Sequence, residues 1–317
     1  MSQKHWENYY RSGALSTAPM DADDGFTLEL AEAWTSFFEE LPRAANVLDI
    51  GTGNGVVLAF AAALGARLNR EWALHGTDLA QIDPVRDVPQ GGQRFLNCRF
   101  YPGVSNEALP FENDTFDAVC GHYALEYSDI EGALSELGRV LKPGGISQFI
   151  VHHRESVLVR NAHKSLRTAD FLLNEAKVYQ RLRAFAEVPD AQASVSSQHT
   201  VSLRAAIQQT KRTLAGEDDR FDRQLLRVVI DAVGQLLVIR SQQGSACSIK
   251  EIAKAEADLR NATKRLKDLV AIARSEDEIQ QLVTMAATQG LRCQEATPQV
   301  HRGTVLVGWR LRLAALP

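Results

Sequence analysis

Three groups of residues in this chain could do chemistry. The first is Asn46 to Gly55, NVLDIGTGNG, where one acid, Asp49, interrupts an apolar run that ends in glycines at 51, 53 and 55 alternating with Thr52 and Asn54. Glycine tolerates φ > 0 and has no Cβ, so such a turn can bring backbone N–H groups close to a ligand. A carboxylate among apolar residues needs partners. Asp49 is therefore expected to accept hydrogen bonds from the glycine loop, from water or from a cationic ligand. The second is Asp78, which closes the apolar stretch WALHGTD 27 residues after Gly51. In a doubly wound sheet an acid there accepts both vicinal hydroxyls of a ribose. The third comprises His122, His152 and His153, whose imidazoles titrate near neutral pH and could take a proton from a reacting group. Glu126 and Tyr127 are weaker candidates for the same work. The chain carries no H-E-x-x-H, P-loop or nucleophile elbow, and no metal site is proposed.

Positioning these residues requires strands that end at them. Val47, Leu48 and Ile50 read as a short buried strand feeding a helix from Val56 to Ala66. A second strand ends at Asp78, and Asp83 before Pro84 is placed to cap a helical turn. RFLNCRFYPG reads as a third strand and Thr115 to Cys120 as a fourth. A helix from about Ile130 to Leu141 is closed by LKPGG, which opens the fifth strand, ISQFIVHH. Strand and helix alternate, so the sheet is expected to be parallel with helices on its faces. Ligands of such sheets bind outside the carboxyl ends of the strands, where Asp78, His122, His152 and His153 fall. Residues 1–45 read as a helical cap, with Trp6, Tyr9 and Tyr10 in a first helix and an apolar face from Leu28 to Phe38 in a second. That aromatic cluster could cover a ligand or serve as a packing face.

VLDIGTGNG, the acid at Asp78, ALPFENDTFDAV and SELGRVLKPGG, in this order and spacing, resemble the class I S-adenosylmethionine-dependent methyltransferases, in the broad subgroup that includes ubiquinone-biosynthesis and related small-molecule enzymes. The resemblance covers roughly Asn46 to Val151. It implies an α/β fold with a doubly wound, mostly parallel seven-stranded Rossmann-like sheet, and S-adenosylmethionine as cofactor. It further implies that Asp49 and the loop Gly51, Thr52, Gly53, Asn54 and Gly55 hold the methionine part, that Asp78 holds the ribose and that Leu79 lies against the adenine. Many relatives place an aspartate at the adenine amino group. Here Ser105 and Asn106 stand near that place, a departure from the pattern. His122 and Tyr123 follow the fourth strand where relatives line the methyl-transfer site, and Asp117 looks structural.

Between the fifth and sixth strands the usual short helix is replaced by about 120 residues, Arg154 to Arg274. Apolar residues at spacings of three and four, from Leu158 to Leu182 and again from Ile249 to Ala273, predict an all-α insertion. Loops are expected near Pro189 to Ser197 and Gly216 to Asp219. A helix of roughly 30 residues would be about 45 Å long, too long to pack on the sheet alone, so it must find a partner helix in the bundle or in a second subunit. This segment has net charge +7 and the rest of the chain −11. After it, DEIQQLVTMAATQG returns to the sheet, and LRCQEATPQ and TVLVGWRLRL read as the last two strands, which the resemblance implies form an antiparallel hairpin at the sheet edge. The expected organisation is a cap over 1–45, a cofactor-binding core over 46–153, a helical lid or dimerisation insertion over 154–274 and a completing segment over 275–317.

Composition fits this frame: 45% hydrophobic and 23% charged residues are ordinary for a soluble globular protein. Four scattered cysteines, Cys98, Cys120, Cys247 and Cys293, give no zinc or disulfide pattern and suit a reducing compartment. The polar, aromatic start is unlike a secretory signal, and Val56 to Leu64 is too short to span a bilayer. The expectation is a cytoplasmic, homodimeric methyltransferase, the dimer formed through the insertion, acting on a small molecule. Three rivals remain: a non-catalytic cofactor-binding protein built around the insertion, a nicotinamide-dependent oxidoreductase and a nucleic-acid methyltransferase. Against the second, Val56 stands where the third glycine of G-x-G-x-x-G would be. The basic insertion favours the third, while the acidic remainder and the lack of a nucleic-acid-binding motif oppose it.

Overall fold

A computed structural model describes residues 4–15, 27–188, 198–216 and 218–317. The chain forms two compact units, one running to Val159 and resuming at Ala271, the other Arg160–Val270.

The first unit is built on seven strands, β1 (Ala44–Ile50), β2 (Glu71–Asp78), β3 (Cys98–Pro102), β4 (Phe116–His122), β5 (Leu141–Val151), β6 (Leu291–His301) and β7 (Val305–Ala315). Their order is β3-β2-β1-β4-β5-β7-β6. β1 to β5 pair in parallel, and β7 is antiparallel to both its neighbours. The helices are α1 (Lys4–Tyr10), α2 (Leu28–Glu39), α3 (Val56–Arg67), the single turns α4 (Pro84–Asp87) and α5 (Gly91–Arg94), and α6 (Ile130–Val140). Between β5 and β6 come α7 (Val157–Asp170), α8 (Val178–Ala186), α9 (Gln198–Ala215), α10 (Arg223–Gln243) and α11 (Ser245–Ile272), then α12 (Glu276–Thr288). This is the doubly wound seven-stranded fold with an all-α insertion that the sequence predicts.

β1 shows why the sheet is covered on both sides. Successive strand residues point to opposite faces, and both faces are apolar: Val47 packs with Trp34, Phe37, Phe38, Leu58 and Leu64. Leu48 and Ile50 pack with Phe116, Leu134, Phe149, Leu282 and Leu311 on the other side. Each large side chain so buried contributes about 1.5–3 kcal/mol. The expected cap at Asp83 forms, accepting the backbone N–H of Arg86 at 3.2 Å, and Asp129 caps α6 through Gly132 at 3.1 Å.

LKPGG closes α6 and opens β5, as expected, and it does so through a bulge. β5 already begins at Leu141, and its register with β4 jumps from Phe116↔Leu141 to Ala118↔Ile146. The extra residues form a bulge in which Gly144 takes φ +76°. Lys142 Nζ pins it by reaching both oxygens of Asp117 at 2.8 Å, and Asp117 also accepts the N–H of Asn46 at 2.8 Å.

The second unit has its own core, which includes Leu172, Tyr179, Leu182, Leu203, Leu226, Val229, Val233, Leu236 and Ile252. Leu226, Val229, Val233, Leu236 and Arg240 form the buried face of α10. Arg240 donates to the carbonyls of Ala186 at 3.1 Å and Val188 at 2.7 Å, which satisfies the end of α8. The apolar stripe from Leu158 to Leu182 is not one helix. A π turn over Phe171–Glu175 and a left-handed Lys177, φ +49°, separate α7 from α8, so that Phe171, Leu172, Val178 and Tyr179 all bury. The long helix is α11, 28 residues, about 42 Å at the usual rise. Of its apolar positions Ile252 and Leu259 are buried, while Ala262, Leu266 and Leu269 are only half-buried. The expected break at Gly216 to Asp219 lies between α9 and α10; the loop expected at Pro189 to Ser197 falls outside the described residues. No helix among the described residues is long and apolar enough to cross a membrane.

Candidate functional site

The glycine loop joins β1 to α3 at the carboxyl edge of the sheet. All three glycines are left-handed, Gly51 at φ +57°, Gly53 at +53° and Gly55 at +78°, which is the conformation that the alternating spacing serves. A Cβ on Gly51 would lie 2.5 Å from that of Ala124, so the loop abuts the turn after β4. Thr52 ties it down, its N–H donating to Thr77 O at 2.9 Å and its hydroxyl to Asp49 Oδ2 at 2.6 Å. Asp49 is 1% exposed, with Cys120 Sγ 3.7 Å from its other oxygen. Burial, opposed by the Thr52 and Cys120 bonds and helped by the charge of Asp78, pushes its carboxyl up to about 7.

Asp78, at the end of β2, accepts the N–H of Gly53 on Oδ2 and that of Ala80 on Oδ1, both at 2.8 Å. Burial still raises it to about 6 against those two bonds. Leu79 beside it is 49% exposed, a surface-facing apolar side chain at the edge of the turn. The segment after β3 runs alongside, with the N–H of Val104 on Asp78 O at 2.9 Å. There Ser105 donates to Glu107, and Asn106 donates to Ser128 Oγ at 2.9 Å. Each side chain has a partner within the protein.

Asn54, 1% exposed, turns away from the loop. Its amide donates to Tyr10 O at 2.9 Å and Ala14 O at 2.7 Å, which straps the N-terminal segment across the glycines. A Cβ on Gly53 would meet the Tyr10 ring at 2.7 Å. Trp6 stacks on Tyr10 with centroids 6.0 Å apart and meets Tyr127 edge-on at 5.7 Å. The aromatic cluster of α1 therefore roofs the loop. The sequence offered the aromatics, but nothing in it marked Asn54 as their anchor.

The three histidines separate into two places. His122 accepts the indole N–H of Trp34 on Nδ1 at 3.2 Å and lies edge-on to Tyr123 at 4.5 Å, and Tyr123 stacks on His152 at 4.0 Å with rings 1° from parallel. His153 is on the other side of the strand, stacked on Trp309 at 5.0 Å and accepting the N–H of Glu155 on Nδ1 at 3.2 Å. The structure thus joins His122 and His152 and leaves His153 apart, because adjacent strand residues face opposite ways. Burial lowers His122 to about 3, and burial with the neighbouring His122 lowers His152 to about 3; burial also lowers His153. His122 and His152 are therefore neutral at neutral pH and weak as bases.

Glu126 is the group in this cluster that titrates near neutrality. It lies in a 3-10 turn after β4, 1% exposed, and burial raises it to about 7 against the His152 N–H bond and the charge of Arg274. The adjoining Tyr123 is left-handed, φ +56°, a strained conformation for a bulky residue. It is held by its N–H on Ile150 O at 2.7 Å and its hydroxyl on Val307 O at 2.9 Å. Among the described residues no cluster of three or more His, Cys, Asp or Glu could hold a metal ion.

Residues 47–145 match the family model described as a methyltransferase domain. The chain is 30% identical over 106 residues to malonyl-[acyl-carrier protein] O-methyltransferase of Salmonella typhimurium, covering 33% of this chain and 38% of that one. It is 34% identical over 114 residues to an uncharacterized methyltransferase of Bacillus subtilis, covering 34% and 41%. To demethylmenaquinone methyltransferase of Tropheryma whipplei it is 34% identical over 101 residues, covering 32% and 38%. The chain thus spans about two fifths of the length of these relatives. Among solved structures it aligns with the [4+2]-cyclase SpnF at 17% identity and a TM-score of 0.41, covering 99% of this chain and 92% of that one. The matched segment holds the glycine loop, Asp49, Asp78 and the turn after β4, and this part of the chain is similar to a methyltransferase domain.

Proposed function

We propose that the chain transfers a methyl group from S-adenosylmethionine to a small-molecule acceptor. The observation that carries this reading is the pair of buried carboxylates at the glycine turn: Asp49 within β1, and Asp78 bound to Gly53 at the end of β2. A ligand with fixed positive charge and vicinal ribose hydroxyls suits that set, since it would neutralise desolvated carboxylates and donate to them. Asp78 then holds the ribose, Leu79 lies against the adenine with Ser105 and Asn106 at its edge, and the loop from Gly51 to Gly55 with Asp49 holds the methionine part.

When bound, S-adenosylmethionine supplies a methyl group already activated by its sulfonium. The protein's work is to hold the acceptor in line at near-attack distance and to exclude water. α1 supports the second task by roofing the loop, and the cluster of His122, Tyr123, Glu126 and His152 supports the first by lining the carboxyl ends of β4 and β5. The relatives' names span an acyl-carrier-bound and a quinone-type acceptor, which supports a small-molecule acceptor without choosing its methylated atom.

In the same reading the protein is cytoplasmic and the helical unit pairs two copies. The exposed Val201, Val228 and Val238 on its helices and the half-buried Leu266 and Leu269 of α11 support pairing. Calorimetric titration with S-adenosylmethionine, with NADH as control, tests the cofactor. Micromolar binding of the first alone, lost in Asp78→Ala, is expected; binding of NADH instead would overturn the reading. Light scattering tests the pairing, and a monomer at micromolar concentration would remove it.

A further inference from the structure

Glu126 is a buried carboxylate with half its bonding capacity unused. Oε1 accepts the backbone N–H of His152 at 2.7 Å, while Oε2 is buried without a hydrogen-bond partner. An acceptor atom left so is costly unless something outside the resting protein uses it. Its position says what that could be. Ala124, two residues earlier, touches Gly51 of the cofactor loop. Tyr127, the next residue, lies under Trp6 of the α1 roof and 6.3 Å from His152. The strained Tyr123 sets the turn that carries all of them. Glu126 therefore sits beside the cofactor loop, beneath the roof, at the carboxyl ends of β4 and β5, where an acceptor would enter.

We propose that Glu126 is the proton acceptor of the methyl-transfer step, and that the substrate is a neutral O–H or N–H compound whose hydrogen is delivered to Oε2. This rests on the methyl-transfer reading above. The acceptor's lone pair forms the new bond to the methyl carbon as the S–CH3 bond breaks with its electrons passing to sulfur. The O–H or N–H proton moves to Oε2, so the sulfonium and carboxylate charges disappear together. The other groups around Glu126 do not compete for the proton. His122 and His152 are held neutral by burial, and burial pushes the Tyr123 hydroxyl far up. Arg274, whose Nη2 donates to the Glu126 carbonyl at 3.4 Å, is the one cation among them and favours the carboxylate form.

The test is infrared titration of the full chain labelled with 13C-glutamate and loaded with S-adenosylhomocysteine, from about pH 5 to about pH 9, alongside calorimetry with S-adenosylmethionine on the same samples. Labelling separates glutamate from Asp49 and Asp78, and exposed glutamates ionise near pH 4. One protonated glutamate band that fades through about pH 7 and is missing in Glu126→Gln is expected. The wild-type band alone decides if that variant fails to fold. No band at the acid end, meaning a carboxylate held ionised beside Arg274, or a band persisting at the alkaline end would overturn the inference. Failure to bind S-adenosylmethionine would instead sink the underlying reading. For any acceptor the wild type methylates, Glu126→Gln should lower kcat on the order of 10²-fold or more, leave cofactor affinity within about twofold and abolish the acid limb of the pH profile. Wild-type kcat in that variant would overturn it.

Discussion

Asp78 holds Gly53: its Oδ2 accepts the glycine's N–H at 2.8 Å while Oδ1 accepts that of Ala80. The end of β2 thereby fixes the turn after β1, two segments that must be in register before a ligand can span them. Asn at 78 keeps the shape but has one acceptor oxygen, so one of the two N–H groups faces an amide donor. Hydrogen bonds to charged groups contribute about 1.5–3 kcal/mol, so Asp78→Asn should weaken S-adenosylmethionine binding roughly 10- to 100-fold by calorimetry. Unchanged affinity would remove Asp78 from the cofactor site.

Asn54 links the loop to its roof. Replacing it by Ala leaves the half-buried Ala14 without the amide donor to its carbonyl and Tyr10 O with only the Gly13 N–H, a local cost of about 1–3 kcal/mol. Hydrogen exchange should therefore accelerate over residues 4–15 with β1 unaffected, and the Trp6 emission should shift toward that of exposed indole. Unchanged protection of α1 would mean that its aromatic contacts alone hold it.

Gly53 meets two constraints at once, a left-handed φ and the Tyr10 ring 2.7 Å from where a Cβ would sit. They can be separated with a double-mutant cycle. Gly53→Ala should destabilise by about 1 kcal/mol from φ and by more from the clash; adding Tyr10→Ala should recover only the second part. Full additivity in thermal melts would mean that Tyr10 does not rest on the loop.

Much of this site was legible because its elements are local. The three glycines, Asp49, the strand ending at Asp78 and the cap at Asp83 each follow from a few consecutive residues. His122, Tyr123 and His152 meet only through the pairing of β4 with β5, so sequence could place them at one sheet edge but could not separate His153 from them without the register. Glu126 ranked below the histidines as a candidate base, because its burial depends on packing that no pattern in ALEY encodes. The stripe from Leu158 to Leu182 shows a limit of periodicity: spacing of three and four persists across a π turn, so it predicts helix without locating the break between α7 and α8.

The buried acids give a pH signature with a definite sign. Asp49, Asp78 and Glu126 are raised to about 7, 6 and 7 by burial. Between their unfolded values near 4 and these values the folded state binds more protons than the unfolded one, so their contribution to stability falls as pH rises through that window. His122 and His152, lowered to about 3, contribute the opposite slope from about pH 3 to 6.5. The two sets largely cancel, so total stability is a poor probe. The difference between Asp49→Asn and wild type is a better one. At about pH 5 native Asp49 is already protonated and nearly the same as Asn, whereas above about pH 7 the wild type keeps a desolvated carboxylate that the variant lacks. Asp49→Asn should thus melt close to wild type at low pH and gain on the order of 2 kcal/mol, roughly 5 °C, at high pH, while losing affinity for S-adenosylmethionine. A constant difference across this range would mean that Asp49 is ionised throughout and balanced by Thr52 and Cys120, with no cost left for a cationic ligand to relieve.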